Sequence, residues 1–220
     1  MENVSIPKVD FAWYQRSFPG ETVCGDKAAA FPGADVCWIV LADGLGHGRK
    51  AQEAAKKAVS IVEHVARTGN LVAKSTSSGA AFSSRVSLPE LFVSIHESLK
   101  ETIGAALGIA YVVVETGRVQ FAGVGNILLR RVGSADTRMV CRDGIVGLPG
   151  KGPIVPKTVE LVMAPGDLLL LTSDGIEEGF GLAEYSGLFS DSAASVARTV
   201  VERFAKNHDD ATCLALRYGP

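Results

Sequence analysis

Two apolar runs in the chain stop abruptly at aspartates, and the rest of the hydrophobic pattern is arranged around them. Val36 to Ala42, VCWIVLA, holds seven apolar or small residues without alternation, the mark of a strand buried on both faces, and it ends at Asp43. Leu168 to Thr172, LLLLT, behaves alike and delivers Ser173, Asp174 and Gly175. Imperfect alternation over Val9 to Phe18 predicts a strand closed by the Pro19-Gly20 turn. From Lys50, the positions Ala51, Ala54, Ala55, Ala58, Val62 and Val65 recur at helical spacing, with Lys and Glu on the opposite face. An amphipathic helix ending near Gly69-Asn70 follows. Its N-terminus leaves the glycine turn after Asp43, so its unpaired amides can face an anion such as phosphate. The Ser-rich stretch Ala73 to Ser87 reads as an exposed loop.

A second helix opens at Ser87, with Glu90 three residues on as a capping box and Pro89 in the first turn. Leu88, Leu91, Phe92, Ile95 and Leu99 form its buried stripe. From Ala105 the period changes: GIAYVVVE, RVQFAGVG, ILLRRV and TRMVCR read as short strands joined by tight turns, an antiparallel meander. Gly123-Val124-Gly125-Asn126 reads as a hairpin turn inside it, and Arg130-Arg131 as a solvated strand end. Thr158 to Met163 and Leu168 to Thr172 form a further pair of strands joined by Ala164 to Asp167. A third helix spans about Ser192 to Ala205, capped by Asp191 or Ser190, and Thr212 to Tyr218 closes the sheet. Amphipathic helices against antiparallel strands imply an α+β sandwich, two sheets face to face with helices outside. With no linker and no long repeat, residues 1–220 read as one domain.

Composition narrows the possible functions. The chain is 47% hydrophobic, ample for a core, and its formal charge of −2 arises from 22 basic and 24 acidic residues. No block of like charges suggests a nucleic-acid footprint or a membrane-surface patch. Cys24, Cys37, Cys141 and Cys213 are scattered without a CxxC pair, which argues for free thiols in a reducing cytoplasm. The first twenty residues lack an apolar signal core, and the most apolar later stretch, Ile103 to Val114, is 12 residues long. A bilayer span needs about 20.

The chemistry lies with five carboxylates at four places: Asp26, Asp43, Asp174, and the neighbours Asp209 and Asp210. Strands far apart in sequence that each end in Asp-Gly can meet at one edge of a core, where their carboxylates share a cation. All-oxygen donors suit magnesium or manganese, and two such ions favour hydrolysis at phosphorus. In that scheme Asp43 bridges, Asp174 and Asp209 hold one ion, the Gly44 carbonyl helps hold the other, and Asp26 orients water. Cys24 and Cys213 are packing residues, thiolate being too soft for such a site.

ADGLGHG, TSDGIEE and HDDAT, in that order, resemble the metal-binding motifs of the metal-dependent protein phosphatases of type 2C, in their bacterial SpoIIE-like branch. AGVGNI at Ala122 to Ile127 and DGIVGLP at Asp143 to Pro149 strengthen the likeness, which covers about residues 20 to 218. The resemblance implies a four-layer α/β/β/α sandwich and two divalent cations, Mn2+ or Mg2+. It implies hydrolysis of phosphoserine or phosphothreonine in proteins. Matched motif to motif, the metal residues are Asp26, Asp43, Gly44, Asp174 and Asp209, with Asp210 where many relatives have Asn. Leu45 replaces a histidine of the eukaryotic enzymes, and Glu21 to Cys24 lacks their phosphate-binding arginine. Both features are commonly missing in the SpoIIE-like branch. His47 is read as structural or exposed, with proton donation as its alternative role.

With no room for a sensor domain, the chain most resembles the small stressosome feedback phosphatases of the RsbX-like group. That resemblance implies a phosphorylated STAS-domain scaffold or anti-sigma-antagonist protein as substrate, while the thiols and the charge pattern read as a cytoplasmic protein with neither nucleic acid nor membrane as partner. Two other readings remain open: a phosphoprotein-binding module that does not hydrolyse, and a receiver-like domain phosphorylated on Asp43 or Asp174.

Overall fold

An unalternating apolar strand needs hydrophobic cover on both faces, and the fold supplies it by stacking four layers. The computed structural model describes residues 9–70, 87–177 and 191–219. The predicted loop at Ala73 to Ser87 lies, except for Ser87, outside the described residues.

In chain order the elements are β1 Val9–Arg16, β2 Asp26–Pro32, β3 Val36–Gly44, α1 Gly48–Thr68, α2 Leu88–Leu99, β4 Ala105–Val113 and β5 Arg118–Val124. Then come β6 Leu128–Val132, β7 Thr137–Val140, β8 Val159–Val162, β9 Leu168–Thr172, α3 Ala193–Phe204 and β10 Ala211–Tyr218. They form two five-stranded sheets, β1-β10-β9-β6-β7 and β2-β3-β4-β5-β8. Every named strand pair is antiparallel, which rules out a receiver-like parallel sheet.

Alternation within each central strand feeds two cores. Ile39 and Leu41 of β3 meet Leu169 and Leu171 of β9 and Leu214 and Leu216 of β10 between the sheets. Val40 and Ala42 turn the other way, onto α1 and α2, where Ala55, Ala58, Val62, Leu91, Phe92 and Ile95 pack. Leu168 and Leu170 face α3 through Val196, Ala197 and Val200. The result is the α/β/β/α sandwich. Each such fully buried Leu or Ile contributes about 1.5–3 kcal/mol.

Local signals set the helix ends. Ser87 Oγ accepts from the Glu90 amide and donates to the Glu90 carboxylate, and α1 ends at Gly69, in left-handed backbone with φ 70°. The cap of α3 is Ser192, whose hydroxyl accepts from Ser195 N–H at 3.3 Å, and not Asp191 or Ser190. Asp191 instead accepts from the Ser195 hydroxyl.

Pairing departs from the sequence reading in three places. β8 and β9, adjacent in sequence, join different sheets. The meander splits as well, β4 and β5 pairing in one sheet and β6 and β7 in the other, so Gly125-Asn126 is a passage between sheets and no hairpin turn. Arg130 is 5% exposed, not solvated, because its guanidinium forks onto Asp136 at 2.8 and 2.6 Å. That fork holds the Asp136 carboxyl below its ordinary range.

Cys24, Cys37 and Cys213 are buried and Cys141 is partly so. Burial pushes all four thiols up, Cys37 and Cys141 to about 12. Since the thiolate is the reactive form, an aromatic disulfide reagent at neutral pH is expected to leave the native chain essentially unlabelled and to titrate four thiols after unfolding. Rapid labelling of Cys24 or Cys213 in the native protein would contradict this packing.

Candidate metal centre

The alternation that buries Ile39 and Leu41 between the sheets also decides where Asp43 stands, two residues further along the same face. Three other strands repeat the rule. Asp26 lies two residues before Ala28 on the interior face of β2 and pairs directly with Asp43 across the β2–β3 ladder. Ser173 follows Leu169 and Leu171, and Asp210 and Thr212 precede Leu214 and Leu216. The gap between the sheets therefore changes at one end from aliphatic to acidic.

Asp26 is 1% exposed, and its Oδ2 accepts from the Ser173 hydroxyl at 2.8 Å. Ser173 Oγ in turn accepts from Thr212 N–H at 3.0 Å, so Asp26 on β2 is tied through Ser173 to β10. Asp210 accepts from Phe18 N–H at 2.8 Å through Oδ1. Asp209 accepts from the Asp210 amide at 2.9 Å. Asn126, in the passage between the sheets, donates to Asp174 Oδ2 at 2.5 Å, and Lys206 donates to the Asp174 carbonyl. Two buried carboxylate oxygens, Asp26 Oδ1 and Asp210 Oδ2, meet no donor.

The electrostatics follow from this crowding. Burial, then repulsion from Asp26, Asp174 and Asp209, pushes the Asp43 acid far above its ordinary range. Burial pushes Asp26 up too, with Asp210 and Asp174 adding to it against the Ser173 hydrogen bond. Asp209 is raised by burial and by Asp174. None of the ion pairs among the described residues involves these carboxylates.

The glycines allow close approach more than they bend the chain. A Cβ on Gly44 would lie 2.0 Å from the Ala51 carbonyl oxygen, so Gly44 seats α1 against the end of β3. On Gly175 it would lie 1.8 Å from the Asp210 carbonyl oxygen, so Gly175 brings Asp174 beside the 209–210 pair. Turning falls to Gly46 and Gly48, at φ 77° and 74°.

A cleft of about 320 Å3 opens onto the centre, lined by Asp43, Asp174 and Asp209 together with Leu45, His47 and Asn126. His47 is half exposed, stacks on Phe18 at 4.4 Å between centroids and bonds Glu21 Oε1 at 2.7 Å. The anion that the structure sets beside Gly48 at the start of α1 is the Glu21 carboxylate. Sequence reasoning missed Ser173 and Asn126 as supports of the centre. AGVGNI carried the second signal, an Asn placed directly after a Gly-rich strand end. Asn126→Ala is expected to lower metal-dependent activity about 10–100-fold with little change in Tm, because it frees Asp174 without opening the core. An unchanged rate would remove Asn126 from the site.

The residues present fit divalent cations in their chemistry. The donors are all oxygens, no ion pair among the described residues involves these carboxylates, and two buried oxygens are without a donor. Among the described residues no three His, Cys, Asp or Glu side chains are gathered tightly enough to hold an ion as they stand.

Comparison with known proteins bears on the whole chain. The family model described as Stage II sporulation protein E (SpoIIE) matches residues 33–219. No curated protein matches the chain in sequence. Among solved structures, a chain from a study of the bacterial stressosome as a modular system adapted to control secondary messenger signaling superposes with TM-score 0.80 at 26% identity, over 96% of this chain and 100% of that one. RsbX in complex with magnesium superposes with TM-score 0.73 at 17% identity, over 99% and 98%. The catalytic domain of the serine/threonine protein phosphatase PstP, in complex with 2 manganese ions, gives TM-score 0.66 at 12% identity, over 97% and 99%.

Proposed function

Since the chain belongs to the SpoIIE family, whose members share the type 2C phosphatase fold, we propose that it is a metal-dependent phosphatase acting on phosphoserine or phosphothreonine in a protein. The observation that carries this reading is the convergence of acids from three strand ends, Asp43, Asp174 and Asp209, on one open cleft, with Asp26 buried behind them opposite Asp43 and no ion pair among the described residues to balance them. Asp43, paired across the ladder with Asp26, would be the ligand shared by two Mn2+ or Mg2+ ions. Asp174 and Asp209 would hold one of them, and the Gly44 carbonyl would help hold the other. When bound, such cations would polarise a phosphoryl oxygen and lower the pKa of a coordinated water. Asp26 Oδ1, without a donor while Oδ2 is fixed by Ser173, would accept a hydrogen bond from water at the centre and orient it. Asn126 keeps Asp174 turned toward the cleft.

The substrate we assign is a phosphorylated STAS-domain protein of a stress-signalling complex. The likeness to a stressosome-associated chain and to RsbX supports it. Among the described residues no helix is long and apolar enough to cross a membrane, which is consistent with a cytoplasmic site of action. A second reading, docking of the phosphoprotein without hydrolysis, draws on the carboxylates not being gathered into a closed cage.

One experiment separates them: phosphate release from a serine-phosphorylated STAS-domain protein with manganese, with chelator, and with Asp43→Asn. Release that needs manganese and is lost in the variant is the expected result. Tight binding of the intact phosphoprotein without release would favour the docking module.

A further inference from the structure

The cleft at the metal centre does not end there. Asn126 and Asp174 also line a second cleft of about 420 Å3, which runs past Arg138 to Val140 and Cys141. Val140 and Cys141 in turn line a third, of about 530 Å3, with Arg142, Lys157 and Val159. Together they form one groove that leads from the acids to the free edges of both sheets, since β7 ends one sheet and β8 the other.

Edge strands normally carry charge or a cover against pairing with other chains. Here the edges present apolar side chains: Val140 is 80% exposed and Val159 40%. Beyond the metal centre the charged side chains along the groove are Arg138, Arg142 and Lys157, with Asp143 as the acid among them. The backbone of Arg142 is fixed, its N–H donating to Gly123 O at 3.0 Å and its carbonyl accepting from Gly125 N–H at 2.8 Å. Its guanidinium also holds the Val155 carbonyl at 3.0 Å. Gly123 leaves the room that Cys141 occupies, since a Cβ there would meet its sulfur at 2.0 Å.

We propose that this groove docks the extended chain flanking the phosphorylated residue of the substrate, and that it selects acidic flanking residues. The proposal rests on the phosphatase reading for its occupant and adds a specificity determinant to it. Continuity with the catalytic cleft places the flanking chain there once the phosphate is at the metal centre. The three cations complement acidic side chains, and Val140 and Val159 accept an apolar one between them. Cations set along the approach attract an acidic flanking segment at docking distance.

The test uses three phosphoserine peptides that differ only in acidic, amide or basic flanking residues, with p-nitrophenyl phosphate as a substrate without flanks. Wild-type protein with manganese is expected to show kcat/KM about tenfold higher on the acidic than on the basic peptide, from several exposed charge pairs acting together. Arg138→Glu/Arg142→Glu/Lys157→Glu is expected to invert that order, which a merely structural role would not do. Lys157→Glu alone, an exposed change, is expected to narrow the preference about threefold. Equal kcat/KM on all three peptides, or a preference that survives the triple change, would overturn the groove while leaving the phosphatase standing. If wild-type protein released no phosphate even from p-nitrophenyl phosphate, the phosphatase reading would fail instead. Fluorescence anisotropy of labelled peptides on Asp43→Asn protein then tests the groove directly: tighter binding of the acidic peptide supports it, and equal binding refutes it.

Discussion

Replacing Asp43 by Asn is expected to lower kcat/KM on a phosphoserine substrate by about 10³-fold while raising the Tm of the metal-free chain. The two effects share one cause. Asp43 is set directly across the ladder from Asp26 and feels Asp174 and Asp209 as well, and burial and that repulsion raise its pKa strongly. A buried carboxylate without a counter-ion costs stability, and Asn keeps its shape without its charge. Relief of about 1 kcal/mol is a reasonable expectation, as for other sites where function is kept at the expense of stability. In a chain of this length that corresponds to a rise of about 2–4 °C. With manganese the order reverses. Wild type is expected to gain stability by mass action and the variant, lacking the proposed bridging ligand, is not. Thermal unfolding with and without manganese, beside phosphate release, reads all three. A variant that melts lower without metal, or retains a tenth of the activity, would mean that Asp43 is held by something other than its charge.

Gly44→Ala is expected to be the most damaging small substitution in the site, costing about 2–4 kcal/mol and lowering Tm by about 5–15 °C. The added Cβ meets the Ala51 carbonyl oxygen at 2.0 Å, its carbon at 2.4 Å and the Ala51 Cα at 2.5 Å. All three are backbone atoms of α1, so no side chain can rotate away and the helix itself must shift. That shift loosens the packing of α1 on β2 and β3 and displaces the carbonyl proposed to hold a cation. Gly46→Ala is the control: it sits at φ 77° with open space around it, so it carries only the left-handed backbone strain of about 1–2 kcal/mol. Circular dichroism melts of the two variants suffice. Equal losses would show that α1 yields easily at this contact.

Periodicity and punctuation made much of this fold legible from the chain alone. The all-apolar runs before Asp43 and Asp174 required cover on both faces, and both strands are in fact covered on both faces. The Ser87–Glu90 cap and the Gly69 stop are local hydrogen-bonding solutions that a few residues encode by themselves. The glycine turn after Asp43 was legible, but the close approach of helix α1 to Gly44 was not.

Sheet membership was not legible, because strand pairing depends on partners far away in sequence. Thr158 to Met163 and Leu168 to Thr172 look like a hairpin to any local rule, yet each strand finds a better-matched neighbour in a different sheet. The same non-local pairing sets Arg130 beside Asp136 and buries it, and carries Asn126 from an apparent turn to the side of Asp174.

The sequence by itself thus determined most of the strands and helices, though not β2 at Asp26–Pro32, and that several strands deliver an acid at one end, since spacing along a backbone of fixed period settles both. Only the tertiary structure decided that those acids stand together, because the register between strands and the stacking of two sheets bring one end of each interior face to the same place. It alone joined that place to the groove along β7 and β8, through cleft-lining residues that are distant in sequence.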